Sequence, residues 1–174
     1  MLRSGFESLF EWPCDVGPEG AILVFLPGWN EIMNLRDAMA ADPRFGHDVL
    51  VLPLHSMVPP QEQKRVFQRP PSGVRKVVLA TNIAETAVTI DDVVFVVDSG
   101  RLKEKSYDAH TGVSTLQAAW ISRASAQQRR GRAGRVRPGR GVTENKHSTD
   151  EPSPRVSMTM HPEGKFMSHA PISV

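Results

Sequence analysis

Uninterrupted apolar runs alternate along this chain with stretches whose apolar positions fall three and four residues apart. The first run, Ala21 to Leu26 (AILVFL), is bounded by Gly20 and Pro27-Gly28. A run of that length without polar interruption reads as a strand buried on both faces. Asn30 to Ala41 then carries Ile32, Met33, Leu35 and Met39 at helical spacing, with Asn30 in the position of a cap. Val49 to Leu54 predicts a second strand, ending in His55-Ser56, and Gln61 to Phe67 a short helix behind Pro59-Pro60. Lys76 to Ala80 and Val93 to Val97 predict strands three and four. Strand and helix in alternation, with strands this apolar, predict an α/β fold: a doubly wound, mainly parallel sheet with helices on both faces. Such sheets bind ligands beyond the carboxyl ends of their strands, where Gly28, Ser56, Thr81 and Asn82 fall.

The period changes after Asp98. Leu102 to Tyr107 and Val113 to Leu116 flank Asp108-Ala109-His110-Thr111-Gly112 and read as a protruding β-hairpin. Residues 1–20 form a lead-in punctuated by Pro13, Gly17, Pro18 and Gly20. Residues 141–174 hold few apolar positions, no sustained period and four prolines, and the pattern predicts a disordered tail. One domain over residues 21–140 is therefore expected between two loose ends.

A length of 174 residues suits one domain with a core of its own. The net charge of +2 makes any basic character local, which favours a specific anion or nucleic-acid site over a generally adhesive polycation. The single cysteine, Cys14, excludes an internal disulfide and a cysteine zinc cage, and fits a reducing compartment in the nucleus or cytoplasm; an organelle stays open. No apolar run approaches the roughly 18 residues of a membrane span. His147, His161 and His169 are too scattered for a metal site, so no metal ligands are assigned.

The local charge is concentrated in Ile121 to Arg140, ISRASAQQRRGRAGRVRPGR, which contains seven arginines and no acid. A charge run is most often a solvated face or a localisation signal. That reading explains the arginines but not the Gln, the glycines or the register. On one helical turn Arg132 and Arg135 point in nearly the same direction, and two guanidinium forks converging on one point suit a triphosphate. A second string, Thr81 to Asp91 (TNIAETAVTID), follows the third strand directly and opens like a helix. Its Thr and Asn offer donors to a phosphate chain without specifying a base.

Gln128 to Arg135, QRRGRAGR, resembles motif VI of the superfamily-2 helicases, and TNIAETAVTID resembles motif V of the DEAH/RHA RNA helicases, with Ala87 in place of the usual Ser. ILVFLPG at 22–28 resembles motif IV, LPLHS at 52–56 the next strand end, and Gln63 to Phe67 the segment whose Phe stacks on a nucleotide base. Residues 20 to 140 thus resemble the second RecA-like domain of a DEAH/RHA helicase, and the wording is nearest to plant members of the RNA helicase A and G-quadruplex-unwinding branch. The resemblance implies roles. Arg132 and Arg135 would be arginine fingers and Gln128 would hold the attacking water. Phe67 and Asp91 would meet the base and ribose of ATP. Ser56, Thr81 and Asn82 would touch the RNA backbone, and the hairpin would separate strands.

No G-x-x-x-x-G-K-[ST] loop and no D-E-x-H occurs in the chain. ATP with Mg is therefore expected only together with a first RecA-like domain, with RNA and G-patch-type activators as further implied partners, and a truncated member inactive by itself is expected. A free-standing RNA-binding or decoy module is the alternative. A DNA-translocating superfamily-2 ATPase fits less well, because TNIAET is more typical of RNA enzymes.

Overall fold

The structure is a computed structural model and describes residues 20–86, 89–108, 112–134, 140–145 and 155–160. Cys14, Ala87, the hairpin tip at His110, Arg135, Arg137 and the three tail histidines lie outside the described residues.

A six-stranded sheet carries the fold. Its strands are β1 (Ala21–Phe25), β2 (Val49–Leu54), β3 (Arg75–Ala80), β4 (Val93–Asp98), β7 (Arg140–Asn145) and β8 (Arg155–Met160), in the order β2-β3-β1-β4-β7-β8. All neighbours are parallel except β7 and β8. The expected doubly wound, mainly parallel sheet of a RecA-like fold is what the chain forms. Central β1 explains its own sequence: alternate residues face opposite sides, and both sides are covered. Leu23 and Phe25 join Val66, Ala84, Ile90 and Ala133 on one face; Val24 and Leu26 meet Ile32, Leu35 and Met39 of α1 (Trp29–Ala41) on the other.

The remaining elements follow the predicted order with shifted ends. Helix α1 starts at Trp29 and its cap position is Gly28, with no side-chain cap, so Asn30 lies inside the first turn. The predicted helix over 61–67 divides into α2 (Pro60–Gln63) and a 3-10 turn (Lys64–Phe67). A single turn, α3 (Ile83–Thr86), follows β3. β5 (Arg101–Asp108) and β6 (Val113–Trp120) pair in register from Arg101↔Trp120 outward and form a sheet of their own, the expected hairpin. Ser122 caps α4 (Arg123–Arg130) by accepting from the Ser125 N–H at 3.1 Å. A 3-10 turn, Gly131–Gly134, continues it.

The expectation of a wholly disordered tail needs correction. Arg140–Asn145 pairs in parallel with β4 and Arg155–Met160 pairs antiparallel to it, so the sheet runs past the boundary drawn at residue 140. Without β7, one side of buried β4 would expose a row of unpaired backbone groups. The short alternation Val156, Met158, Met160 against Ser157, Thr159 is the strand signal that overall polarity obscures.

Candidate functional site

Backbone register brings one group of predicted residues to the carboxyl edge of the sheet. Leu54, Ala80 and Phe25 end three neighbouring strands in matched register. Ser56, Thr81 and Gly28 therefore follow at one rim. Ser56 and Asn82 are exposed, whereas Thr81 is only 7% exposed. The carbonyls of Thr81 and Asn82 accept from the N–H groups of Ala84 and Glu85 at 3.2 and 2.9 Å, which starts α3 immediately behind them. His55 stands on the same rim, its ring 5.3 Å from that of Trp29. Met57 N–H donates to His55 Nδ1 at 3.1 Å, and burial pushes the His55 pKa below its usual value.

Phe67 and Asp91 lie at the other end. Both precede strands, β3 and β4, and so sit at the amino edge, a strand length of roughly 20 Å from Thr81. The sequence placed Gly28, Ser56, Thr81 and Asn82 at the carboxyl ends and assigned no edge to Phe67 and Asp91. The Phe67 ring is 52% exposed and Asp91 is exposed. A flat apolar ring and a carboxylate at one rim fit the base and ribose of a nucleotide. Between them lies Lys76, fully buried. Its Nζ donates to the Val66 and Gln68 carbonyls at 2.7 and 2.9 Å and pairs with Asp92 Oδ1 at 2.8 Å.

The arginine-rich segment runs along the face of the sheet beside β4. Gln128 and Arg130 of α4 face solvent, while Arg129 between them is fully buried. Arg129 donates through Nε to Glu85 Oε2 at 3.1 Å and through Nη1 to Asp98 Oδ1 at 2.8 Å. A longer bond of 3.3 Å reaches the Arg101 carbonyl, and the guanidinium lies 4.9 Å from the Phe25 ring centroid. Arg132 sits on the 3-10 turn rather than on an α-helical one, is 7% exposed, and donates to the Glu85 carbonyl. Motif V and motif VI thus meet at Glu85, which one arginine holds by its carboxylate and another by its backbone. Burial raises the Asp98 pKa, against the opposing pull of Arg129 and of the Gly100 N–H.

Among the described residues no cluster of His, Cys, Asp or Glu could hold a metal ion, and no helix is long and apolar enough to cross a membrane.

This geometry has known counterparts. The family model of the helicase conserved C-terminal domain matches residues 6–137. The chain belongs to that family. The helicase C-terminal domain is 60% identical over 128 residues to the DExH-box ATP-dependent RNA helicase DExH6 of Arabidopsis thaliana, covering 72% of this chain and 10% of that protein. It is 55% identical over 122 residues to the human ATP-dependent DNA/RNA helicase DHX36, covering 70% of this chain and 12% of that protein. Among solved structures, the E. coli DExH-box NTPase HrpB superposes with a TM-score of 0.68 at 39% identity, over 79% of this chain and 16% of that one. The chain thus spans about a tenth of the length of these two relatives.

The sequence motifs of the helicase domain pointed to Arg132, Thr81 and Asn82 and gave no sign of the buried ion pairs of Lys76, Glu85, Asp98 and Arg129. One signal was present for two of them. Lys76 and Asp98 are charges at the ends of apolar strands, and such charges are almost never fully buried unless paired. The partners themselves are fixed only by the tertiary fold.

Proposed function

We propose that this chain is the C-terminal half of an ATP-dependent RNA motor. Arg132 and Arg135 serve as arginine fingers toward a nucleotide held by a first RecA-like domain, and Gln128 orients the attacking water. Phe67 and Asp91 meet base and ribose, and Ser56, Thr81 and Asn82 hold the RNA backbone. The Mg ligands and the phosphate cradle come from the first domain. G-patch-type activators and a nuclear or cytoplasmic setting belong to the same reading.

The contact of Arg129 and Arg132 with Glu85 is the observation that supports it. Glu85 lies four residues after Thr81, so a shift of the RNA-contacting strand end is felt directly at the finger. A second reading, an RNA-binding module without catalysis, draws on Arg132 being turned inward onto a backbone carbonyl in this chain. The decisive measurement is ATP turnover by the chain joined to a complete first RecA-like domain from a DExH-box relative. Fingers elsewhere contribute roughly 10³ to 10⁵ in rate, so Arg132→Ala should lower turnover far more than nucleotide affinity. Arg132→Lys should not rescue, because an ammonium cannot reproduce the planar fork. Turnover unaffected by Arg132→Ala would leave the non-catalytic module as the better account.

A further inference from the structure

We propose that Lys76 is the positioning residue of the nucleoside-binding edge, holding the Phe67 ring and the Asp91 carboxylate at a fixed separation. This rests on the reading of Phe67 and Asp91 as nucleotide contacts, and goes beyond it by naming what makes two separate loops act as one site.

The argument starts from the cost of burying an ammonium group. Lys76 is fully buried in the second position of β3, and a lysine so placed is retained only where every donor finds an acceptor. Its three donors do so. Two go to the carbonyls of Val66 and Gln68, the residues on either side of Phe67. The third goes to Asp92, the neighbour of Asp91. Phe67 is therefore bracketed by the Lys76 bonds, and Asp91 is one residue from them.

Other contacts make the connection stiff. Asp92 is held a second time by its carbonyl, which accepts from the Ala21 N–H at 2.7 Å. Val66, next to Phe67, is fully buried, so the turn is anchored by its apolar neighbour while the Phe67 ring stays in solvent. Strand β1 lies between β3 and β4, which sets the two loops about 10 Å apart at the backbone, twice the spacing of neighbouring strands. Only a long side chain crosses that gap. An apolar residue at position 76 would fill the volume and leave the two loops mechanically independent.

The test uses the chain joined to a complete first RecA-like domain from a DExH-box relative, and titrates ATP while following the Phe67 ring and the Asp91 amide by NMR. Asp92→Ala cuts the link to the Asp91 loop yet keeps the two bonds that hold the Phe67 turn. It should weaken ATP binding roughly tenfold, about the loss of one well-placed contact. Binding of inorganic triphosphate, which has no base or ribose, should stay unchanged, a distinction that general destabilisation would not make. Lys76→Met should act in the same direction and also speed amide exchange over residues 64–68. Should it fail to fold, Asp92→Ala still decides. ATP affinity unchanged in Asp92→Ala, while Phe67→Ala and Asp91→Ala lower it, would overturn the role of Lys76 and leave the nucleotide site standing. Affinity unchanged in all of them, or no ATP-dependent shift at Phe67 and Asp91 in the unaltered two-domain protein, would remove the site and this proposal together.

Discussion

Arg129 Nη1 stands 2.8 Å from Asp98 Oδ1, and neither side chain is exposed to solvent. The pair joins the last turn of α4 to the carboxyl end of β4. Glu85 on α3 closes the cluster, and the Gly100 N–H donates to the same Asp98 oxygen at 2.9 Å at the root of the hairpin. Asp98 Oδ2 has no hydrogen-bond partner among the described residues. The carboxylate is thus incompletely compensated, which accords with burial raising its pKa despite the adjacent guanidinium. Removing one member of a buried pair strands the other, at about 3–5 kcal/mol. Arg129→Met should therefore destabilise the domain on that scale in urea unfolding. Arg129→Met combined with Asp98→Leu should be more stable than Arg129→Met alone. Strict additivity of the two changes would show that the pair is not coupled.

Two shifted groups make opposite contributions to the pH dependence of stability. His55 has a folded pKa below 6.5, with burial as the cause, so the unfolded chain takes up its proton first. Its contribution is complete above 6.5 and is lost as pH falls through the folded value. Asp98 has a folded pKa above 3.8, so its contribution is complete below 3.8 and is lost as pH rises through the folded value. Of these two groups, His55 is the one whose ordinary value lies nearest neutral pH. Melting temperature should fall between about pH 7 and about pH 5, and His55→Asn should flatten that slope. An unchanged slope in the variant would assign the effect to another group.

Gly20 is a backbone requirement rather than a loop filler. Its φ is 154°, and a Cβ there would stand 2.5 Å from both Val94 γ-carbons and 2.9 Å from the Asp92 carbonyl oxygen. Val94 is buried in β4 and Asp92 is held by Lys76, so neither gives way easily. Gly20→Ala should lower stability by about 1–3 kcal/mol, the usual range for overpacking. Gly131→Ala is the control, since a Cβ at that position meets nothing within 4 Å. Equal melting temperatures for the two variants would refute the close approach.

The parts of the fold visible in the sequence are those with a local cause. The runs AILVFL and VLVLPL have no polar interruption because both faces of their strands are covered, so β1 and β2 could be read almost to the residue. Helix α1 was visible by its spacing but not by its start, because Gly28 caps it without a side chain. Strands β7 and β8 were missed because their pairing depends on the free edge of β4, a non-local fact. The same limit applies to the site. Motif spacing led to Arg132 and Asn82. That Arg132 packs inward on Glu85, and that Phe67 and Asp91 sit at the edge opposite Thr81, follows from chain crossings that no local pattern encodes.

The carboxyl edge makes a prediction about RNA that separates position from charge. Asn82 is exposed beyond β3, and its amide is neutral, so a contact to a phosphate oxygen releases no counterion. Thr81 is 7% exposed and offers RNA only the limited surface that α3 leaves uncovered. Asn82→Ala should therefore weaken binding of the chain to single-stranded RNA by a similar factor for oligo(U) and oligo(A) of equal length. The dependence of binding on salt should keep its slope. Each phosphate neutralised by a lysine or arginine contributes about −0.7 to that slope for single strands, so a lost charge is readily distinguished from a lost amide. The measurement is a pair of salt titrations, wild type against Asn82→Ala. Discrimination between the two RNAs that disappears in the variant would mean that Asn82 reads a base edge. A slope reduced by about 0.7 would mean that the variant has displaced a cation, and the backbone-contact role would pass to that group instead.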